Sequence, residues 1–391
     1  MTAFLVDWLN LLVRWGHLVV GIGWIGTSFY FVALDFQLRK RAAMPPGVYG
    51  TAWLVHGGGF YNVEKYLVAP PALPPDLIWY KWDAYLTWVT GFALLTLQYY
   101  WNARQYLIDP TVLQMAPSEA VVISLMTLGG GWLAYDGLCR SALGRHTGLL
   151  ALATLGLILA AAYLYTHVYS GRGAFIHVGA FIGTIMAVNV FGVIIPNQRK
   201  IVAALMAGEA PDPRLGQAGK QRSLHNNYLT LPVLLMMVSN HYPVLTGHPH
   251  GWLVVALVVL AGASVRHFIN RHDAGDALAR FWWALPLAAA AVLALVVLTA
   301  PRGGGDAAAI SDAQAMAIVE KHCTMCHAER PTHADIPEPP KGVVLTSVAD
   351  LRRYADAITQ QAVASTAMPL GNETGMTAAE RGELGAWLAH P

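Results

Sequence analysis

Cys323, Cys326 and His327 stand in the order C-x-x-C-H, a spacing suited to one particular chemistry. Two cysteines on one helical turn can each add to a haem vinyl group, and the adjacent imidazole then falls where it can ligate the iron. The run therefore reads as the attachment site of one covalent haem c. The chain holds 3 cysteines, and the third, Cys139, lies far upstream. A structural zinc centre would have to recruit His322 or His333 in place of the missing thiolates, and a redox disulfide is the remaining alternative. The second axial ligand should come from downstream. Met368 is the candidate, ahead of Met376, because the following Pro369 stiffens its loop. A thioether there raises the potential, which suits an electron acceptor.

Histidine is the next informative residue type. His17, His167, His177, His241 and His267 lie in apolar stretches, where an imidazole is costly unless it faces the interior of a bundle and binds something. Histidines on facing helices are the usual way a bundle holds a non-covalent haem, so at least one haem b is expected, with His17 and His177 as its first candidate ligands. For any single histidine, a hydrogen-bonded interior side chain is the plain alternative. Two further polar concentrations are His56-Gly57-Gly58-Gly59 with Glu64 and Lys65, and His225-Asn226-Asn227-Tyr228 just before Thr230-Leu231-Pro232. The second either meets a substrate or caps a helix. Asn189 reads as a hydrogen-bonding partner for a neighbour, and Gly179 with Gly183 as small residues that let helices approach.

The elements that must position these groups are set by composition. With 391 residues, 55% hydrophobic, 12% charged and mean hydropathy +0.43, most of the chain is too apolar for an ordinary soluble domain. Apolar runs near 5–34, 84–102, 119–139, 147–169, 174–196, 228–243, 251–270 and 282–300 are expected to span a bilayer. The first run carries Asp7 and Arg14 and lacks a basic leader or small-residue cleavage site, so it reads as a retained helix. The expected fold is all-α: a polytopic bundle of about eight transmembrane helices over 1–302, a glycine-rich linker at 303–310, and a small helical haem c domain over 311–391. Capping signals at Ser311 with Gln314, Ser347 with Asp350, and Thr377 with Glu380 predict helices near 311–322, 348–363 and 378–389. The proline-rich segment 44–81 is expected to be an interfacial or re-entrant element. Eight spans put both ends on one side. Loops on the other side carry 15 Lys and Arg by this division, Arg222 and Arg266 included, against Arg104 and Arg172 on the side of the termini. The positive-inside rule then places both termini outside the cytoplasm, with the haem domain periplasmic in a bacterial inner membrane. No basic arm or motif points to nucleic acid.

Several blocks carry a resemblance to a known family. They are Trp15-Gly16-His17 with Gly23-Trp24-Ile25-Gly26-Thr27-Ser28, His56-Gly57-Gly58-Gly59-Phe60-Tyr61, Lys81-Trp82-Asp83-Ala84-Tyr85, Asn189-Val190-Phe191 through Ile195-Pro196-Asn197-Gln198, His225-Asn226-Asn227-Tyr228 with Ser239-Asn240-His241-Tyr242-Pro243, and Ala367-Met368-Pro369-Leu370-Gly371-Asn372. Across essentially its whole length the chain resembles the bacterial membrane-bound urate hydroxylases, a urate oxidase membrane domain followed by a cytochrome c. The family usually has Glu where this chain has Asp83, a carboxylate shorter by one methylene.

The resemblance implies oxidation of urate at C5 to 5-hydroxyisourate in purine breakdown, with electrons passed through haem to the cytochrome and on to a cytochrome c or terminal oxidase. It also implies an anion site and a base toward the cytoplasmic face, among His56, Glu64, Lys65, Asp83, His225 and Arg199. Lys65 or Arg199 would hold the anion, and His225 or Asp83 would act as base. The competing reading is a non-catalytic, membrane-anchored cytochrome that relays electrons from a quinol or a partner dehydrogenase. A transporter with a redox tail is a third, and it would need broken helices near mid-membrane.

Overall fold

The computed structural model describes residues 2–66, 70, 72–300 and 310–389. Helix α1 (Thr2–Gln37) opens the chain, and β1 (Val48–His56) and β2 (Gly59–Tyr66) follow as an antiparallel hairpin. Helix α2 (Trp82–Leu95) runs on through a π-helical turn at Thr96–Tyr100 toward the short α3 (Ala103–Tyr106). Next come α4 (Pro117–Arg140), α5 (Thr147–Val168) and α6 (Gly171–Val188), which continues through a π turn at Asn189–Ile194 into α7 (Ile195–Met206). The bundle closes with α8 (Pro213–Val238), the short α9 (Pro243–Thr246), α10 (Gly251–Asp273) and α11 (Ala284–Thr299). Each expected apolar run lies mostly within one of these helices. Among the described residues, 5 helices are long and apolar enough to cross a membrane: α1, α4, α5, the continuous Gly171–Met206 rod and α10.

Exposure supports that reading. Leu5 and Ile22 on α1, Met126 and Leu133 on α4, Leu149 and Leu152 on α5, and Leu293 and Val297 on α11 all remain open at the surface. A belt of this kind suits hydrocarbon better than water. Helix α6 forms the centre and is buried along most of its length. Gly131 on α4 and Gly179 on α6 permit the close packing: a Cβ on Gly131 would fall 2.0 Å from Phe181, and one on Gly179 would fall 3.0 Å from Cβ of Met236 on α8. Pro196 explains the π turn in the central rod, because a proline inside a helix has no N–H to donate and crowds the preceding turn.

One expectation gains detail and one needs correction. The segment 44–81 contains the β-hairpin, the one strand pair among the described residues, added to an otherwise all-α fold. Gly57 and Gly58 form its two-residue turn with φ of 58° and 80°, and positive φ at both positions is what a tight hairpin turn requires. An ion pair from Lys65 to Asp35 and a bridge between Arg39 and Thr51 tie the hairpin to the end of α1. The correction concerns α8, which starts at Pro213, well before the apolar run near 228. Asp212 caps it by accepting from the Arg214 amide at 2.9 Å, with proline at the first helical position. Arg222 therefore lies inside α8 and Arg266 inside α10, both buried, so neither is a loop charge.

The tail is a second helical body with its own core. It contains α12 (Asp312–His322), α13 (Val348–Arg353), α14 (Ala355–Ile358) with a π turn at Thr359–Val363, and α15 (Ala378–Ala389). The caps form as the sequence indicates: Ser311 Oγ accepts from the Gln314 amide, Ser347 Oγ from Asp350, and Thr377 Oγ1 from Glu380. Each such cap is worth about 1 kcal/mol. The tail rests on the end of the bundle that carries α3, the start of α6 and α9. Gln105 donates to Asp335 at 3.0 Å, and a Cβ on Gly371 would fall 2.8 Å from the Arg104 carbonyl. The expected linker at 303–310 lies outside the described residues apart from Ile310.

Candidate functional site

In the tail, Cys323, Cys326, His327 and Met368 line one mostly apolar cleft, joined by Ile336, Pro340 and Leu370. His327 Nδ1 lies 3.0 Å from the Val343 carbonyl, and donation there would fix the tautomer and leave Nε2 to ligate iron. Met376 is buried in the tail core and does not line the cleft. The Met368 loop is held by Arg381, whose guanidinium donates to the carbonyls of Ala362 and Met368, both at 2.6 Å. Burial pushes the Cys323 thiol up to about 11. These residues fit a covalent haem c. No group of three or more His, Cys, Asp or Glu side chains converges among the described residues, so the zinc alternative lacks its ligand set.

His17 and His177 sit in different surroundings. The His17 ring packs on Gly91 of α2, and its Nδ1 lies 3.1 Å from the Thr87 carbonyl and 3.0 Å from Thr90 Oγ1. His177 is fully buried, with Nδ1 2.7 Å from the Gly173 carbonyl and Nε2 2.7 Å from Ser124 Oγ on α4. The rings of Tyr99, Tyr100, Tyr165 and Tyr169 surround it, the nearest centroid at 4.7 Å. Both its nitrogens have protein partners, and it faces α4 and α5 while His17 faces α2. The two rings therefore have different neighbours, and only His17 has a ring nitrogen without a protein partner among the described residues.

At the end remote from the tail, α8 carries a polar network on each of two faces. Toward α4 and α6, His225 Nδ1 lies 2.7 Å from Tyr135 Oη, and Asn189 Nδ2 donates to that hydroxyl at 3.1 Å and to Asn226 at 2.9 Å. Arg222, 3% exposed, donates to Asp136 at 2.7 Å, and Arg140 donates to the other carboxylate oxygen at 2.6 Å. Toward α10, Arg266 donates to Asn227 Oδ1 at 3.3 Å and to Asn270 Oδ1 at 3.1 Å, with Asn270 also donating to Asn227 at 2.8 Å. On that face Tyr228 Oη lies 2.9 Å from His267 Nδ1, and the Phe29 ring of α1 lies 4.2 Å from the Arg266 guanidinium.

The hairpin residues do not join His225. His56 is exposed beside the hairpin turn, Glu64 is exposed on β2, Lys65 is committed to Asp35, and Arg199 is exposed on α7. Asp83 packs its carboxylate against α1, where a Cβ on Gly23 would meet it at 3.4 Å. Conversely, Tyr135, Asp136, Arg222, Arg266 and Asn270 were not singled out from sequence as site residues, whereas Asn227 was, within His225-Asn226-Asn227-Tyr228. The available signal was a charge inside an apolar helix, at Asp136 above all, since such charges pair inward.

No curated protein and no solved structure gave a match to this chain. The family described as urate oxidase N-terminal matches residues 3–300, the whole bundle with its hairpin, and the chain belongs to that family.

Proposed function

We propose that this protein oxidises urate at C5 to 5-hydroxyisourate and delivers the electrons to a haem c held by the tail. The observation that carries the reading is the convergence of Cys323, Cys326, His327 and Met368 on one cleft, in a tail docked on a bundle of the urate oxidase N-terminal family. Urate monoanion plus water gives 5-hydroxyisourate, two electrons and one proton. A haem in the cleft supplies the one-electron acceptor. Cys323 and Cys326 would form the thioethers, His327 Nε2 and the Met368 sulfur would ligate the iron, and Arg381 holds the methionine loop in register.

The bundle handles substrate and proton. The buried layer around α8 offers two imidazole–phenol pairs, His225 with Tyr135 and His267 with Tyr228, and either can take the released proton. His17 is the ring we assign to a haem b, because its Nδ1 is fixed by Thr87 and no protein partner meets its Nε2 among the described residues. In a bacterial inner membrane, with the tail periplasmic, the α8 layer lies at the cytoplasmic end where purine breakdown releases urate. A cytochrome c or terminal oxidase would then relieve the tail of its electrons.

The test is anaerobic addition of urate to the purified, haem-loaded protein. The c-type spectrum should become reduced, with two haem equivalents reduced per urate. A protein reduced by dithionite but not by urate would be an electron-relay subunit instead. Met368→Ala should keep haem attached and lower its midpoint potential, and an unchanged potential would reject that ligand.

A further inference from the structure

We infer that Arg266, Asn227, Asn270 and Phe29, on the α10 face of α8, bind a planar organic anion, and that this face is where urate sits. The inference rests on the proposed function and goes further by choosing between the two networks.

Charge closure makes the choice. Arg222 is neutralised by Asp136, and both Asp136 oxygens are taken. Arg266 is 5% exposed, yet its hydrogen-bond partners are two neutral amide oxygens, and no carboxylate lies within ion-pair distance of it among the described residues. The acidic residue next along its own helix is Asp273, two turns on, near enough to act on the guanidinium electrostatically but outside ion-pair and hydrogen-bonding distance. A buried cation without an anion is costly and stays buried only where something pays for it.

Asn227 makes the second, independent argument. It is fully buried, its Oδ1 accepts from both Arg266 and Asn270, and its Nδ2 donates to nothing among the described residues. An orphan amide donor beside an unneutralised guanidinium asks for one acceptor carrying negative charge. Phe29 sets the shape. Its ring lies against the guanidinium, so a flat anion can approach in the guanidinium plane or stack on the ring. Urate monoanion is flat and presents adjacent nitrogen and oxygen acceptors. Helix α1, which carries Phe29, is the least buried of the long apolar helices, so the site lies behind a thinly held wall.

The experiment uses the haem-loaded protein reduced beforehand with dithionite, so that bound urate is not consumed, and measures labelled urate by equilibrium dialysis. Arg266→Gln should weaken binding about ten- to a hundredfold, the loss of one charged hydrogen-bonding partner. Asn227→Asp is the sharper variant, because it builds the missing anion into the site. It should fold with an unchanged or higher thermal midpoint and a normal haem spectrum while binding urate at least tenfold more weakly. Wild-type affinity in either variant overturns the site, and so does an Asn227→Asp protein that fails to accumulate, since Arg266 would then not be short of an anion. Failure of urate to reduce the intact wild-type protein strikes the functional reading instead.

Discussion

The two faces of α8 carry nearly the same inventory: an arginine, a histidine bonded to a tyrosine, and two asparagines. They differ in one carboxylate. Asp136 closes the charge on the face toward α4, whereas the face toward α10 has amide oxygens where that carboxylate would be. A closed network spends its hydrogen bonds on holding helices together, and an open one keeps donors in hand for a ligand. The face built for stability and the face available for binding are therefore told apart by counting charges, which residue types alone do not reveal.

The largest expected effect breaks the closed face. Arg222→Leu leaves Asp136 buried with only the exposed Arg140 beside it, and should destabilise the protein by about 3–5 kcal/mol. Arg266→Leu should leave the thermal midpoint in detergent unchanged or raised, because it removes a charge that has no partner and leaves Asn227 and Asn270 bonded to each other. Thermal unfolding of the two variants side by side measures the contrast. Equal losses would abolish the distinction between the faces.

A second prediction repairs the first. Combining Arg222→Gln with Asp136→Asn removes both charges together, so most of the lost stability should return. If the double variant is as unstable as Arg222→Leu, the network depends on donor geometry at Asn189 and Tyr135 and not on charge closure.

How much of this was legible in the sequence follows the range of the interactions. The tail helices were legible because their caps are local: Ser311, Ser347 and Thr377 each bond an amide three residues on. The apolar runs were legible because each needs only its own composition. The hairpin was missed although Gly57-Gly58 between alternating residues is a hairpin signal, since the surrounding prolines and apolar content suggested a membrane-edge element. The start of α8 was missed because Arg214, Lys220 and Arg222 make its first half look like a loop, when a helix partly sheathed by protein tolerates them. Of the α8 networks the sequence shows the polar run His225 to Tyr228 and Asn189 but not their partners, since Asp136 meets Arg222 across 86 positions and Asn227 meets Arg266 across 39. The surroundings of His177 were not legible for the same reason, because a π turn at Thr96–Tyr100 brings Tyr99 and Tyr100 against it.

A third and smaller effect comes from the two phenols. Tyr135→Phe removes a hydroxyl within hydrogen-bonding distance of both His225 and Asn189 and should cost about 1 kcal/mol of stability. Tyr228→Phe removes the contact with His267 on the open face and should slow urate-driven haem reduction with little change in midpoint. If both variants behave alike, the two imidazole–phenol pairs have the same role.

The smallest effect extends the comparison to an ion pair that water can reach. Glu380 accepts from Lys321 Nζ at 2.8 Å and from the Thr377 amide at 2.8 Å, and lies 3.1 Å from His322 Nε2; these partners hold its carboxyl well below the usual range, with Lys321 the largest cause. A depressed carboxyl contributes stability that is present above its unfolded value near 4.5 and is lost as pH falls through that value toward the folded one. Lys321 is more than half exposed, so screening limits the contribution to about 0.2–1 kcal/mol. The thermal midpoint of the tail should therefore decline as pH falls below about 4.5, and Glu380→Gln should flatten that decline while leaving the haem spectrum unchanged. High salt should reduce the difference at pH 7, as it would not for the buried Arg222 and Asp136. A salt-insensitive loss of several kcal/mol in Glu380→Gln would put the tail pair in the same class as the closed face of α8, and exposure would no longer separate them.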